Sequence, residues 1–230
     1  MINLEEIDVT SEYKIKFLNA THLEQVLCLQ DIIAKTLVDP TIYYVEPAEF
    51  FCKQLAIEKS AIGLFNKDQL LGFNMVTFPG LGEDNLGVEF DLPDDELLKV
   101  AQIGPAAVHP EHRKKGILDQ VAKRHIQVIK EMGYRHVYLT VAPNNYPTIK
   151  VFTNHGFFIK QLKLKYNNVL RYILHLDFDK GLIQPQYSVR VTNFDIDSQK
   201  FIMSLGFYGY DVVKNDNGFD LIFGYDEIKA

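Results

Sequence analysis

Val100-Ala-Gln-Ile-Gly-Pro-Ala-Ala-Val108-His-Pro-Glu-His-Arg113-Lys-Lys-Gly116-Ile-Leu118 passes from an apolar run through a short basic loop into Gly116–Met132. In that last stretch Ile117, Val121, His125, Val128, Ile129 and Met132 recur at intervals of three and four. The run from Val100 to Val108 reads as a strand that stops at Pro110, and the periodic stretch as an amphipathic helix ended by Gly133. The first N–H groups of a helix have no intrahelical acceptor, and the helix dipole places partial positive charge beside them. A diphosphate is held well by such amides, with Arg113, Lys114 and Lys115 adding charge and Gly116 allowing close backbone approach. The same fragment is also compatible with a solvated basic turn.

Outward from this junction, strands and helices interleave. Tyr13–Leu18 alternates polar and apolar residues as a strand, and Thr21-His-Leu-Glu24 has capping-box spacing before Leu23, Val26, Leu27 and Ile33. Pro47 suits the first position of a helix running to about Lys59. Ala61–Phe65 and Leu70–Phe78, separated by Asn66-Lys-Asp-Gln69, predict a hairpin. Pro79–Lys99 carries three glycines among its acids and reads as a long loop with one helical turn. Beyond Gly133, Val137–Val141 is a strand, Thr148–His155 a helix and Phe157–Tyr166 a strand that turns at Asn167-Asn168 into Val169–Phe178. The order β-α-α-β-β-β-α-β-α-β-β implies an α/β sandwich, three-layered, with helices flanking one mixed central sheet.

Composition limits the function. At 230 residues the chain buries enough surface to fold without disulfides, and Cys28 and Cys52, both in helical stretches, are expected to be buried thiols. The N-terminus lacks the basic-then-apolar order of a signal peptide, and no apolar run approaches membrane-spanning length; a cytoplasmic protein with no membrane partner is expected. A formal net charge of −6 argues against nucleic-acid binding. That charge is uneven: Arg113–Arg135 is basic, whereas Glu83–Glu96 is strongly acidic.

With the downstream residues added, the sequence resembles the GNAT superfamily of acyl-coenzyme A-dependent N-acyltransferases. Arg113-Lys-Lys-Gly116-Ile-Leu118 follows the pattern Arg/Gln-x-x-Gly-x-Gly/Ala except at Leu118. Asn145-Tyr-Pro-Thr148-Ile-Lys-Val-Phe152-Thr-Asn-His-Gly156-Phe157 follows Asn-x-x-Ala/Ser-x-x-x-Tyr-x-x-x-Gly-Phe except at Thr148 and Phe152. The resemblance implies acetyl-CoA as co-substrate and a GNAT-like fold. It assigns main-chain groups of Ala106, Ala107 and Val108 to the pantetheine arm, and the amides of Arg113, Lys114, Lys115, Gly116, Ile117 and Leu118 to the pyrophosphate. Asn145 would bond the pantetheine or thioester region, and Phe152 would lie near the sulfur. Two departures concern proton transfer. Phe152 replaces the family's tyrosine acid, and Gln102 aligns where an acid often stands. Neither titrates at neutral pH.

The implied reaction is direct transfer of an acetyl group to a primary amine of a small molecule or peptide in a ternary complex. Tyr146 is a candidate acid and Glu89 a candidate base. The acids of Glu83–Glu96 suit a cationic amine, or are simply solvated. The alternative is a non-catalytic acyl-CoA-binding or sensing module. His112, His125, His136 and His155 show no metal-ligand spacing, and no metal is expected.

Finally, Asp195-Ile-Asp-Ser198-Gln-Lys-Phe-Ile202-Met-Ser-Leu-Gly206-Phe207 repeats the spacing of Asn145–Phe157 and precedes a hairpin across Asn215-Asp-Asn-Gly218. Residues 1–180 therefore read as the acyltransferase domain and 181–230 as a degenerate half-repeat. That tail lacks a phosphate loop of its own. It is expected to extend the sheet, cap the acceptor site or form a homodimer contact.

Overall fold

A computed structural model describes residues 6–8, 12–166, 168–180 and 185–225. The turn residue Asn167, most of the N-terminal decapeptide, and residues 181–184 and 226–230 of the tail lie outside them. The chain forms two compact units, Met1–Tyr134 and Arg135–Ala230.

The first unit contains β1 (Glu6–Asp8), β2 (Tyr13–Phe17), α1 (Leu23–Thr36), α2 (Ala48–Leu55), β3 (Ala61–Asn66), β4 (Gln69–Thr77), α3 (Asp94–Leu97), β5 (Val100–Val108) and α4 (Ile117–Glu131). Its strands pair antiparallel in chain order, β1-β2-β3-β4-β5. Val26, Leu29 and Ile33 of α1, with Phe51 and Leu55 of α2, pack with Phe73, Met75 and Ala107 of the sheet. Ile117, Val121 and Val128 of α4 pack with Ile15, Ile62, Leu64 and Leu71. Neighbouring sheet residues thus go to different clusters, as the alternation of side chains along a strand requires.

Three local expectations change. The capping box is Asn19 with His22, not Thr21 with Glu24: Asn19 Oδ1 accepts from the Thr21 amide at 3.0 Å, and the Asn19 amide donates to His22 Nδ1 at 3.1 Å. A 3-10 turn over Ala20–His22 therefore precedes α1. Pro47 is the extended residue before α2, which ends at Leu55 rather than near Lys59. Cys28 and Cys52 are free thiols but exposed, because Val26, Leu29, Phe51 and Leu55 take the buried faces of their helices.

The second unit contains β6 (His136–Val141), α5 (Tyr146–Asn154), β7 (Phe158–Lys165), β8 (Val169–Asp177), β9 (Tyr187–Thr192), α6 (Ile196–Ser204), β10 (Tyr208–Asn215) and β11 (Gly218–Tyr225). Its strand order, β6-β8-β7-β10-β11-β9, reads as one arm followed by the reverse of a second. The arms meet at Gly209↔Ile159 of β10 and β7, residues that occupy equivalent positions in the two halves. A Cβ on Gly209 would lie 2.9 Å from Ile159 Cδ1, so this junction requires glycine. Each helix is capped alike: Asn145 Oδ1 accepts from the Thr148 amide at 3.3 Å, and Asp195 Oδ1 from the Ser198 amide at 3.0 Å. Each is followed by a left-handed glycine, Gly156 at φ 84° and Gly206 at φ 89°. Helices flanking sheets give the α/β class that the sequence implies.

Candidate functional site

The basic junction is built from β5 and α4 on the first unit. β5 pairs with β4 from Gln102↔Thr77 to Val108↔Gly72, with a register irregularity between Asn74 and Val76. Ala107 is buried, while Ala106 and Val108 are partly exposed. The His109 amide continues the ladder to Leu71 O at 2.8 Å, and a 3-10 turn over Pro110–His112 then lifts the chain off the sheet. Lys114 at φ 62° and Gly116 at φ 75° reverse it into α4. A Cβ at Gly72 would lie 2.7 Å from Ile117 Cγ2. Gly72 therefore lets the first turn of α4 settle against β4, a role the sequence reading did not assign.

No side chain caps α4. Its first amides therefore have no side-chain cap partner, beside Arg113, Lys114 and Lys115, all exposed, while Ile117 is buried and Leu118 partly so. A Cβ on Gly116 would have only Gln120 Nε2, at 3.7 Å, within contact distance. Uncapped amides, three cations and room at Gly116 together fit an anionic phosphate group. Lys115 Nζ donates to His112 Nδ1 at 3.5 Å. Desolvation, then the nearby Lys115 charge, lowers the His112 pKa. Its ring thus tends to stay neutral in this basic loop.

The acidic stretch is folded rather than loose. Asn85 is almost fully buried and donates to Gly80 O at 2.6 Å and Leu97 O at 3.1 Å, while accepting from the Gly87 amide at 2.8 Å. Gln102 Oε1 accepts from the Leu86 amide at 2.5 Å, pinning the 3-10 turn Leu86–Phe90 to the first half of β5. Gln102 is thus an anchor for the loop that carries Glu89. Glu89 is half-buried and lies in that pinned turn.

One further carboxylate escaped the sequence reading. Gln30, on the buried face of α1, donates to Glu46 O at 2.9 Å and accepts from the Glu46 amide at 2.9 Å. Tyr43 donates to the same Gln30 Oε1 at 3.5 Å. This clamp fixes the segment between α1 and α2, and burial raises the Glu46 pKa. The only signal in sequence was a glutamine within the apolar stripe Val26, Leu29, Ile33.

In the second unit, Asn145 caps α5 and Tyr146 is its first residue. The Tyr146 ring lies 5.3 Å from Phe219, with Lys214 Nζ 5.2 Å from its centroid. Phe152 is 1% exposed and packs edge-on against Phe157 at 5.3 Å. At that position the helix supplies apolar packing. On the neighbouring strands, His136 Nδ1 and His175 Nε2 lie 3.1 Å apart, and His175 stacks on Tyr138 at 4.3 Å. Among the described residues, no group of three or more His, Cys, Asp or Glu could hold a metal.

A family model described as the acetyltransferase (GNAT) family matches residues 39–157, more than half of the chain. A search of curated proteins gives no match. Among solved structures, the ribosomal-protein-S18-alanine N-acetyltransferase of Escherichia coli aligns at TM-score 0.54 and 14% identity, covering 76% of this chain and 99% of its own. An N-acetyltransferase of Staphylococcus aureus Mu50 aligns at 0.55 and 17%, covering 73% and 99%. PaiA N-acetyltransferase of Thermoplasma acidophilum, solved in complex with coenzyme A, aligns at 0.52 and 15%, covering 72% and 99%. At these identities the likeness is one of fold.

Proposed function

Because the chain belongs to the GNAT acetyltransferase family, we propose that it transfers the acetyl group of acetyl-CoA to a primary amine of a small molecule or peptide. The observation that carries this reading is the uncapped start of α4 behind β5, with Arg113, Lys114 and Lys115 exposed beside it. The amides from Arg113 to Leu118 would hold the pyrophosphate, and the main chain of Ala106–Val108 would pair with the pantetheine arm as an added strand. Asn145 would contribute a hydrogen bond to the pantetheine region. The co-substrate supplies an acetyl group already activated as a thioester.

The chain's own task is to take a proton from the amine, which must be neutral to attack. Glu46 and Glu89 are the candidate bases. Burial of Glu46 raises its pKa toward working pH, which favours that role. The thiolate leaving group is stable enough near neutral pH to need no strong acid. Tyr146 is the candidate if one acts. A cationic acceptor is supported by the carboxylates of residues 83–96, tied to β5 through Gln102.

The test is thiol release from acetyl-CoA across polyamines, aminoglycosides, lysyl peptides and neutral amines. Turnover confined to neutral or acidic acceptors would exclude the cationic reading. Glu46→Gln should lower kcat by about ten- to a hundred-fold and remove the acid limb of the pH profile. An unchanged limb would transfer the role to Glu89. One observation favours a second reading, a binding or sensing module: Gln102 and Phe152 are both committed to structural contacts. Coenzyme A binding without turnover on any amine would select it.

A further inference from the structure

Tyr146 and Lys150, one helical turn apart on α5, both contact the second arm of the C-terminal unit. Phe219 of β11 and Lys214 of β10 approach the Tyr146 ring, and Lys150 Nζ pairs with Asp211 Oδ1 at 2.6 Å. Phe219 is itself fixed: its amide donates to Asn193 Oδ1 at 3.3 Å and its carbonyl accepts from the Asn193 amide at 2.9 Å. The chain of contacts thus runs from Asn193 through Phe219 to Tyr146, the residue that follows Asn145. Asn145 sits at φ −88°, ψ 65°, outside the helical region; its Oδ1 accepts from the Thr148 amide at 3.3 Å and its carbonyl from the Ile149 amide at 3.1 Å, so the first turn of α5 and the Asn145 side chain move together.

We propose that the second arm is a brace that positions Asn145 for the cofactor, with Phe219, Lys214 and Asp211 as its positioning residues. The proposal rests on the role given to Asn145 above. A brace of this kind acts on geometry rather than on chemistry. A cap residue displaced by a fraction of an ångström keeps its side chain but no longer presents it in the binding direction. The effect falls on cofactor affinity, because Asn145 takes no proton.

The test uses the full chain and four variants. Phe219→Leu removes the ring against Tyr146, and Asp211→Asn removes the ion pair at a partly exposed position where the fold is not at risk. Val191→Ala, a buried site in the edge strand β9, serves as the control. Amide exchange at Thr148 reports the cap directly, and steady-state kinetics separate KM from kcat. Faster exchange at Thr148 and an about ten-fold rise in the KM for acetyl-CoA are expected in Phe219→Leu, with kcat within about two-fold. Asp211→Asn should show the same pattern more weakly, Val191→Ala should match the wild type, and Phe219→Tyr should restore binding. Equal KM changes in Phe219→Leu and Val191→Ala would overturn the brace, as would unchanged exchange in Phe219→Leu. Faster exchange with unchanged KM would overturn the positioning role. Failure of the wild-type chain to bind coenzyme A would overturn the cofactor reading instead, and the exchange rates would still show whether α5 is braced.

Discussion

Asn145 and Asp195 stand at the same place in the two arms of the C-terminal unit. Each accepts a hydrogen bond from the amide three residues on, and each helix ends at a left-handed glycine followed by phenylalanine. The arms even carry the same register irregularity, between Ile159 and Gln161 in one and Gly209 and Asp211 in the other. They differ in what their helices bury. In α5, Ile149, Phe152 and Thr153 are buried; in α6 the buried residue is Gln199, held by Tyr172 and by Thr192 O. Phe194, Phe201 and Leu205 are exposed around α6. Local signals of cap, glycine and turn suffice to reproduce a shape. Side-chain burial decides how firmly the shape is held, and the cap chemistry decides what it can bind.

The largest expected contrast follows from burial. Phe152→Ala should cost about 3–5 kcal/mol, the usual loss for an aromatic ring removed from a closed core. Phe201→Ala, at a residue 63% exposed, should stay within about 0.5 kcal/mol. Urea unfolding of the two variants checks both. Similar losses would mean that α6 is covered by something in solution.

A pH effect should separate the arms next. Burial, then the adjacent His136, lowers the His175 pKa to about 3. The unfolded chain therefore takes up a proton near the ordinary histidine value of 6.5, while the folded chain does not. The stabilisation is full above the unfolded value and is lost as pH falls through this window toward about 3. For His175 the loss is on the order of 5 kcal/mol. The second arm has Gly224 opposite Ser188 where the first has His175 opposite Tyr138, so this site contributes nothing there. His175→Gln should flatten unfolding stability between pH 6 and pH 4, roughly, by removing one of the two histidines whose pKa desolvation lowers most. The other, His125 in the first unit, is lowered by burial to about 4 and should leave a residual slope. An unchanged acid limb in His175→Gln would place the titration elsewhere.

Most of this architecture was legible because it rests on periodicity and punctuation. The α4 stripe, the Gly133 stop and the offset between the two arms all follow from positions along the chain. The folded character of residues 79–99 was not legible. It depends on Asn85 and Gln102, polar residues whose partners are distant in sequence and whose local pattern suggests only a loop. Glu46 was missed for the same reason, since its clamp comes from Gln30 on another element. The cysteines were misjudged from type rather than position: a thiol in a helix is buried only on the apolar stripe, and Cys28 and Cys52 lie off it. Backbone features of the phosphate loop are encoded locally. Proton-transfer groups are brought together by the tertiary fold.

The smallest effect tests the cap chemistry itself. Asparagine offers both an acceptor and an N–H donor, whereas an ionised aspartate only accepts. Asn145→Asp should keep the bond from the Thr148 amide, and with it stability within about 0.5 kcal/mol, because both residues rank equally as caps. It should nevertheless raise the Kd for coenzyme A by about ten- to a hundred-fold. The lost donor and the added charge near an anionic ligand together cost about 1–3 kcal/mol. Asp195→Asn, the reverse change in the second arm, should alter neither stability nor binding, since no phosphate loop accompanies that arm. Calorimetric titration of both variants measures the difference. Equal affinities for Asn145→Asp and wild type would mean that Asn145 serves only to cap α5, as Asp195 caps α6, and would confine the cofactor contacts to the β5–α4 junction.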